Sequence, residues 1–324
     1  MRTPLLWLLS PLLFIQCAPP EPEPRFRFED RQREVPAFSA DSAWHYINEQ
    51  VEFGTRHPNS EGHRQTKDWL AGKLQEYAGP GAVYVQSFTE EGYEGEELEL
   101  HNIVAAFNPS NGDRILLAAH WDTRPRAEED PEYPDEPLTG ADDGGSGTGV
   151  LIELARLFSE NPPPVGVDIV LFDGEDYGRP GELDFYFLGA RYWSNNLPAS
   201  GYNPRFGILL DMTGGVDAVF AKEENSVRFA PSLVNALWEL ADELGYGEMF
   251  PDERGALVSD DHVIVQRHAG IPMINIIHHS RAPDGGAQFP PWWHTHRDNM
   301  EIIDRTTLQA VGDLLTEFIY NRIR

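Results

Sequence analysis

Apolar residues recur along this chain in two rhythms that take turns. From Asp41 onward Trp44, Ile47 and Val51 return at helical spacing, and Trp69, Leu70, Leu74 and Tyr77 repeat the pattern, so two amphipathic helices are expected. Residues 82–88 alternate like a half-exposed strand, and residues 102–107 and 114–120 read as the next two strands, joined across the turn at 108–113. Thereafter helices near 147–158 and 188–195 precede apolar strands from Val167 and from Phe206 to Asp211. Further helices over 232–244 and 260–268 precede a buried strand over 273–277, and an amphipathic helix is expected over 305–320. This alternation predicts one α/β domain with three layers, helices covering both faces of a central, mostly parallel mixed sheet.

Several of the expected strands end on residues that can bind metals or carry protons. The run Val-Asp-Ile-Val-Leu-Phe from Val167 stops at Gly174 and delivers two adjacent carboxylates, Glu175 and Asp176. Open α/β sheets bind ligands just beyond the carboxyl ends of their strands, where this pair would sit. The strand over 114–120 ends at His120-Trp121-Asp122, with His120 and Asp122 on one side of an extended segment. Asp143 follows Gly140-Ala141-Asp142 where a helix begins, Leu210 leads into Asp211, and His294 stands beside Trp292 and Trp293. Taken singly, these are ordinary turn acids, a helix cap and a packed histidine. Taken together, His120, Asp143, Asp176, Asp211 and His294 form a donor set that zinc accepts, with Glu175 left free to shuttle protons. A metal-free hydrolase lacks its parts, since the mature domain has no cysteine nucleophile and no serine lies in a nucleophile-elbow pattern; the His-Glu-x-x-His zinc helix is absent as well.

Composition narrows the partners. The chain has 324 residues, with 25 Lys and Arg against 53 Asp and Glu, a formal net charge of −28. Such a surface argues against nucleic acid and anionic membranes, and mildly favours basic partners. The single cysteine, Cys17, lies at the end of a short hydrophobic stretch after Arg2. That stretch reads as a secretory signal. Cys17 resembles the lipid-modified cysteine of bacterial lipoproteins; a cysteine discarded with the signal is the other reading, and both stay open. The expected divisions are a signal over 1–17, a Pro/Glu-rich tether over 18–36 and a catalytic domain over 37–324. The protein is expected to be exported by a bacterium, periplasmic or lipid-anchored, and to act as a monomer.

In order, the motifs His120-Trp121-Asp122, Gly140-Ala141-Asp142-Asp143, Asp173-Gly174-Glu175-Asp176, Leu210-Asp211, Asp260-Asp261-His262 and Trp293-His294-Thr295 resemble the zinc-dependent exopeptidase clan. Within it they look most like the animal-type glutaminyl-peptide cyclotransferases and their bacterial relatives. The resemblance implies a single zinc held by Asp143, Asp176 and His294, and Glu175 as general acid/base with Asp211 and Asp260 in a proton network around it. It implies a substrate pocket walled by Ile277, Phe289 and Trp293, to which the aromatic context adds Trp121. It also implies a reaction, the conversion of N-terminal glutamine of peptides to pyroglutamate with loss of ammonia. Two departures stand out. Asp176 occupies a place where the cyclases carry glutamate, and Tyr177-Gly178-Arg179-Pro180 runs where they carry a tryptophan, so Tyr177 or Tyr186 is expected to supply that wall. The alternative is a two-zinc aminopeptidase of the same clan, with His120 and Asp211 as further ligands around a bridging Asp143.

Overall fold

The computed structural model describes residues 28, 29 and 31–323. The expected signal and Cys17 lie outside the described residues. The last part of the expected tether is part of the domain: Phe28 bridges to Ile323, and the Glu29 and Arg31 N–H groups donate to the carbonyls of Arg322 and Asn321.

Six strands form the central sheet: β1 (Val83–Glu91), β2 (Glu97–Phe107), β3 (Arg114–His120), β4 (Gly166–Phe172), β5 (Gly207–Asp211) and β6 (Met273–Ile277). Their spatial order is β1-β2-β4-β3-β5-β6, with β4, β3, β5 and β6 mutually parallel and β2 antiparallel to both of its neighbours, β4 and β1. The sheet is therefore mixed, and mostly parallel where the expected chemistry lies. The strand expected over 102–107 starts earlier, at Glu97. In that extension Leu98 and Leu100 are buried while Glu97 and Glu99 face solvent. Its glutamates hide it, because they are depleted in strands, and pairing with β1 decides the matter.

Alternation along each strand sends side chains to two cores. One face carries Ile103, Ile115, Leu117, Ile169, Ile208 and Ile274 and is covered by α1 (Ala40–Glu52), α2 (Glu61–Ala78), α3 (Gly145–Glu160), α6 (Pro231–Glu243) and α8 (Arg305–Glu317). The other carries Leu116, Ala118, Val170, Phe172 and Leu209 and is covered by α4 (Leu188–Asn195) and α7 (Asp261–Ala269). A short helix that the periodicity does not announce, α5 (Glu224–Phe229), guards the sheet edge: the Ser226 hydroxyl accepts the Asn275 N–H of β6 at 2.9 Å. Such edges otherwise invite pairing with other chains.

Chain order reverses beside β3, which lies between β4 and β5. That switch point opens a crevice at the carboxyl ends of β3, β4, β5 and β6. Glu223 holds one wall of it. Its fully buried carboxylate accepts the N–H groups of Asn225 and Ser226 at the start of α5 and of Val258 in the loop leading to Asp260, and contacts His262 Nε2 at 3.1 Å. Burial pushes this carboxyl up, but the His262 contact and the N–H donors outweigh it and bring it down to about 2 from its ordinary 4.5. A carboxyl lowered by folding stabilises above its unfolded value, and that support fades as pH falls toward the folded value. Glu223→Gln is therefore expected to lower stability at neutral pH by roughly 3 kcal/mol. Thermal unfolding followed against pH should show wild type and variant converging between the two values; a gap independent of pH would refute the role.

Candidate metal centre and catalytic cleft

Each candidate side chain is delivered by a strand end or a tight turn. His120 is the last residue of β3, and the extended chain after it turns His120 and Asp122 to the crevice. The same alternation sends Trp121 the other way. Expected in the substrate pocket, Trp121 is fully buried in the main core, stacked on His63 at 4.6 Å between ring centroids, with its indole N–H donating to the His101 carbonyl. It does not line the cleft.

Asp122 organises the neighbouring turn. Its two oxygens accept the backbone N–H groups of Glu175 at 3.1 Å and Asp176 at 3.2 Å. Gly174 makes that turn with φ +68°, a conformation that disfavours side chains. Asp143 sits on a loop clamped from two sides. Buried Arg56 donates to the carbonyls of Trp121, Thr139 and Gly140, and the Asp298 carboxylate accepts the N–H groups of Asp142 and Asp143. Asp143 does not cap α3, whose N-cap is Gly144 with no side-chain bond. At Gly144, φ is +88° and a Cβ would stand 2.4 Å from the Asp122 carbonyl oxygen, so only glycine lets this turn approach β3. Asp211 ends β5, Asp260 caps α7 through the Asp261 N–H, and His294 lies in a loop with φ +55°. Met212, just after Asp211, and Phe187 also have positive φ. Such conformations cost about 1–3 kcal/mol each and persist where the surroundings over-determine them.

Two clusters result, and they share Asp143: Asp143, Asp176 and His294 form one, and His120, Asp143 and Asp211 the other. In the first, His294 Nε2 stands 3.6 Å from Asp176 Oδ1 and 3.8 Å from Asp143 Oδ2. In the second, His120 Nε2 stands 3.1 Å from Asp143 Oδ1 and 3.3 Å from Asp211 Oδ1. Asp176 Oδ2 and His120 Nδ1 are buried without hydrogen-bond partners. Buried carboxylate oxygens are rarely left so. Two aspartates and an imidazole, with a buried unpartnered oxygen, fit a zinc ion.

Crowding shows in the acidities. Burial pushes Glu175 well above the usual carboxylate range; His120 opposes this, while the charges of Asp176, Asp260 and Asp261 add to it. Burial raises Asp176 strongly as well, against the pull of Arg124, and lifts Asp211 to about 7 against its hydrogen bond with His120. For Asp143 burial pushes upward but loses to the His120 contact, so it falls below its ordinary value. Burial, then the Arg124 charge, lowers His294 to about 3, which keeps its imidazole neutral and fit to ligate.

The crevice deepens into a cavity of about 360 Å³ bounded by Glu175, Asp176, Asp211 and His294, and also lined by Ile277, Phe289, Trp293, Tyr186 and Leu183. Trp293 stacks on Phe289 at 4.7 Å and on His294 at 3.6 Å. Tyr177 packs against Tyr93 in a separate cluster, which leaves Tyr186 as the tyrosine facing the cavity. The sequence reading did not single out Arg124, buried between Asp176, Glu128 and Tyr186, nor Asp261, whose carboxylate is buried without a partner. Arg124 lies two residues beyond Asp122, but its acidic loop reads as exposed; Asp261 reads as a first-turn helix acid.

An α/β sheet with a buried Asp/Asp/His set at its switch point, and a glutamate beside that set, defines a metal-dependent enzyme of exopeptidase type. The chain belongs to peptidase family M28, whose profile matches residues 102–319. A Zn-dependent exopeptidase from Parabacteroides distasonis superposes with a TM-score of 0.85 at 44% identity, over 89% of this chain and 100% of that one. The glutaminyl cyclase of Bacteroides thetaiotaomicron, bound to N-acetylhistamine, superposes with a TM-score of 0.84 at 45% identity, over 89% and 99%. The glutaminyl-peptide cyclotransferase of Bos taurus is 25% identical over 297 residues, 82% of this chain and 77% of its own length.

Zinc that binds only the folded chain should raise its melting temperature by mass action. Asp143→Asn, which removes the carboxylate common to both clusters, is expected to lose most of that rise after chelation and re-addition of zinc. A rise as large as wild type's would show that the ion sits elsewhere.

Proposed function

We propose that this enzyme is a glutaminyl-peptide cyclotransferase, closing the N-terminal glutamine of peptides to pyroglutamate with release of ammonia. The observation that carries the reading is Glu175: a half-buried glutamate of raised pKa beside the Asp143/Asp176/His294 set, in a small aromatic-walled cavity. Its close likeness to a glutaminyl cyclase supports the same conclusion. Asp143, Asp176 and His294 would hold zinc, which would supply polarisation of the γ-carbonyl.

The chain's own residues do the rest. Ile277, Phe289 and Trp293 exclude water and hold the short side chain flat, so that the α-amine and the γ-carbonyl carbon meet within one molecule. Glu175 takes a proton from the α-amine as the new N–C bond forms, and returns it to the amide nitrogen as the old C–N bond breaks and ammonia leaves. A carboxyl raised toward neutrality suits both halves of that transfer. Asp211 and Asp260 are assigned to the surrounding proton network, and His120, between Asp143 and Asp211, to hydrogen bonding. Tyr186 is assigned as a further wall of the substrate pocket.

One observation favours a second reading. The His120/Asp143/Asp211 cluster offers a second ion a place beside the first, as a two-zinc aminopeptidase needs. The cyclase reading expects one zinc per chain. We also place the enzyme outside the cytoplasm, exported by the signal at 1–17 and either free in the periplasm or held by a lipid on Cys17, acting as a monomer on peptide and protein N-termini.

Full-length protein incubated with a Gln-initiated and a Leu-initiated peptide, and followed by mass spectrometry, separates these readings. Loss of ammonia from the first peptide alone, with one zinc by metal analysis, is the expected result. Release of the terminal residue, with two zinc ions, would establish the peptidase instead. Glu175→Gln should lower turnover by ~10²–10⁴-fold while zinc content stays unchanged; full activity in that variant would remove Glu175 from the reaction.

A further inference from the structure

Arg124 is buried against the metal set, and its partners tie that set to the substrate wall. Its side chain is fully buried, and every guanidinium nitrogen is engaged. Nε and Nη2 donate as a fork to the two oxygens of Glu128, both at 2.6 Å. Nη1 donates to Asp176 Oδ1 at 2.7 Å and to the Asp176 carbonyl at 3.0 Å. Nη2 also donates to the Tyr186 hydroxyl at 2.9 Å, and the Tyr186 ring faces the cavity.

Asp176 is thereby fixed from two directions. Asp122 accepts its N–H, and Arg124 takes its carbonyl and one carboxylate oxygen, so the main chain and the side-chain rotamer are set together. The other carboxylate oxygen, Oδ2, is left buried without a partner. An aspartate reaches one methylene less far than a glutamate, so its carboxylate must be placed by its surroundings. We infer that Arg124 is the positioning residue of the metal centre: it holds Asp176 in ligating geometry and, through Tyr186, couples that ligand to the wall that receives the substrate.

The guanidinium is suited to this in a way that an ammonium is not. Three acceptors in three directions need a planar fork with several donors, whereas lysine offers a point charge on a flexible stem. Glu128 balances the charge of Arg124, so a local neutral pair abuts the metal set.

The inference rests on Asp176 being a ligand. Zinc affinity of the full chain, measured by competition with a chromophoric chelator, tests it without recourse to the reaction. Arg124→Gln and Arg124→Lys are each expected to weaken zinc binding ten- to a hundredfold, the usual cost of removing an outer partner of a metal ligand. Tyr186→Phe should leave zinc affinity within twofold of wild type while raising KM for a Gln-initiated peptide more than it lowers kcat. Circular dichroism reports whether each variant is folded. If Arg124→Gln does not fold, Arg124→Lys, which keeps the charge and loses the fork, decides. Folded Arg124 variants that bind zinc as wild type does would overturn the inference. Asp176→Asn is measured alongside: wild-type zinc affinity there would mean that the ligand assignment, and not the role of Arg124, has failed.

Discussion

The site is built around the electrostatic cost of burying many carboxylates together. Asp122, Asp143, Glu175, Asp176, Asp211, Asp260 and Asp261 converge on one crevice, and most of them are raised in pKa by burial and by one another. Isolated ionised groups are not tolerated in such a medium. The fold deals with some of them by hydrogen bonding, as Asp122 accepts backbone N–H groups, and with others by buried cations, Arg124 and His120. Asp176, among the residues that line the cavity, keeps an unpartnered oxygen. A dication held there would offset that charge, and burial among the neighbouring carboxylates raises the pKa of Glu175.

Geometry for this arrangement comes from the parallel half of the sheet. Four parallel strands end at one edge, so His120, Asp211 and the turn at 174–176 arrive side by side although long stretches of chain separate them. The antiparallel hairpin β1–β2 contributes no carboxylate to the set; it covers the outer side of β4 and carries Leu100 against Gly174. The turns that leave the strands are fixed by glycines at positive φ and by three residues, Phe187, Met212 and His294, that adopt it without being glycine. That these three line the cleft is consistent with backbone strain being held where the chemistry is.

Within this frame one residue type has two uses. Arg56 and Arg124 are both fully buried, yet Arg56 donates to three carbonyls and shapes a loop, while Arg124 bonds two carboxylates and a tyrosine hydroxyl. The first acts on the main chain that presents Asp143, and the second on the side chain of Asp176. Together they place two of the three candidate ligands.

Much of this was legible in the residues. Strand periodicity located β3, β4, β5 and β6, and the rule that open sheets use their carboxyl edges selected His120, Glu175, Asp176 and Asp211 from an excess of acidic residues. These are local properties: a side chain's hydropathy and its place in a period of two do not depend on what the strand packs against. Trp121 shows the limit from the other side, since the alternation that turns His120 and Asp122 inward to the cleft turns Trp121 into the core. The extension of β2 through Glu97 and Glu99, the short helix α5, and the partners of Arg124 depended on contacts between residues far apart in the chain. Sequence alone determined which groups could do chemistry and at which edge of the sheet they would gather. Tertiary structure alone decided their distances, which of them share Asp143, and which carboxylates keep an unpartnered oxygen, because those depend on how strands and loops are brought together in space.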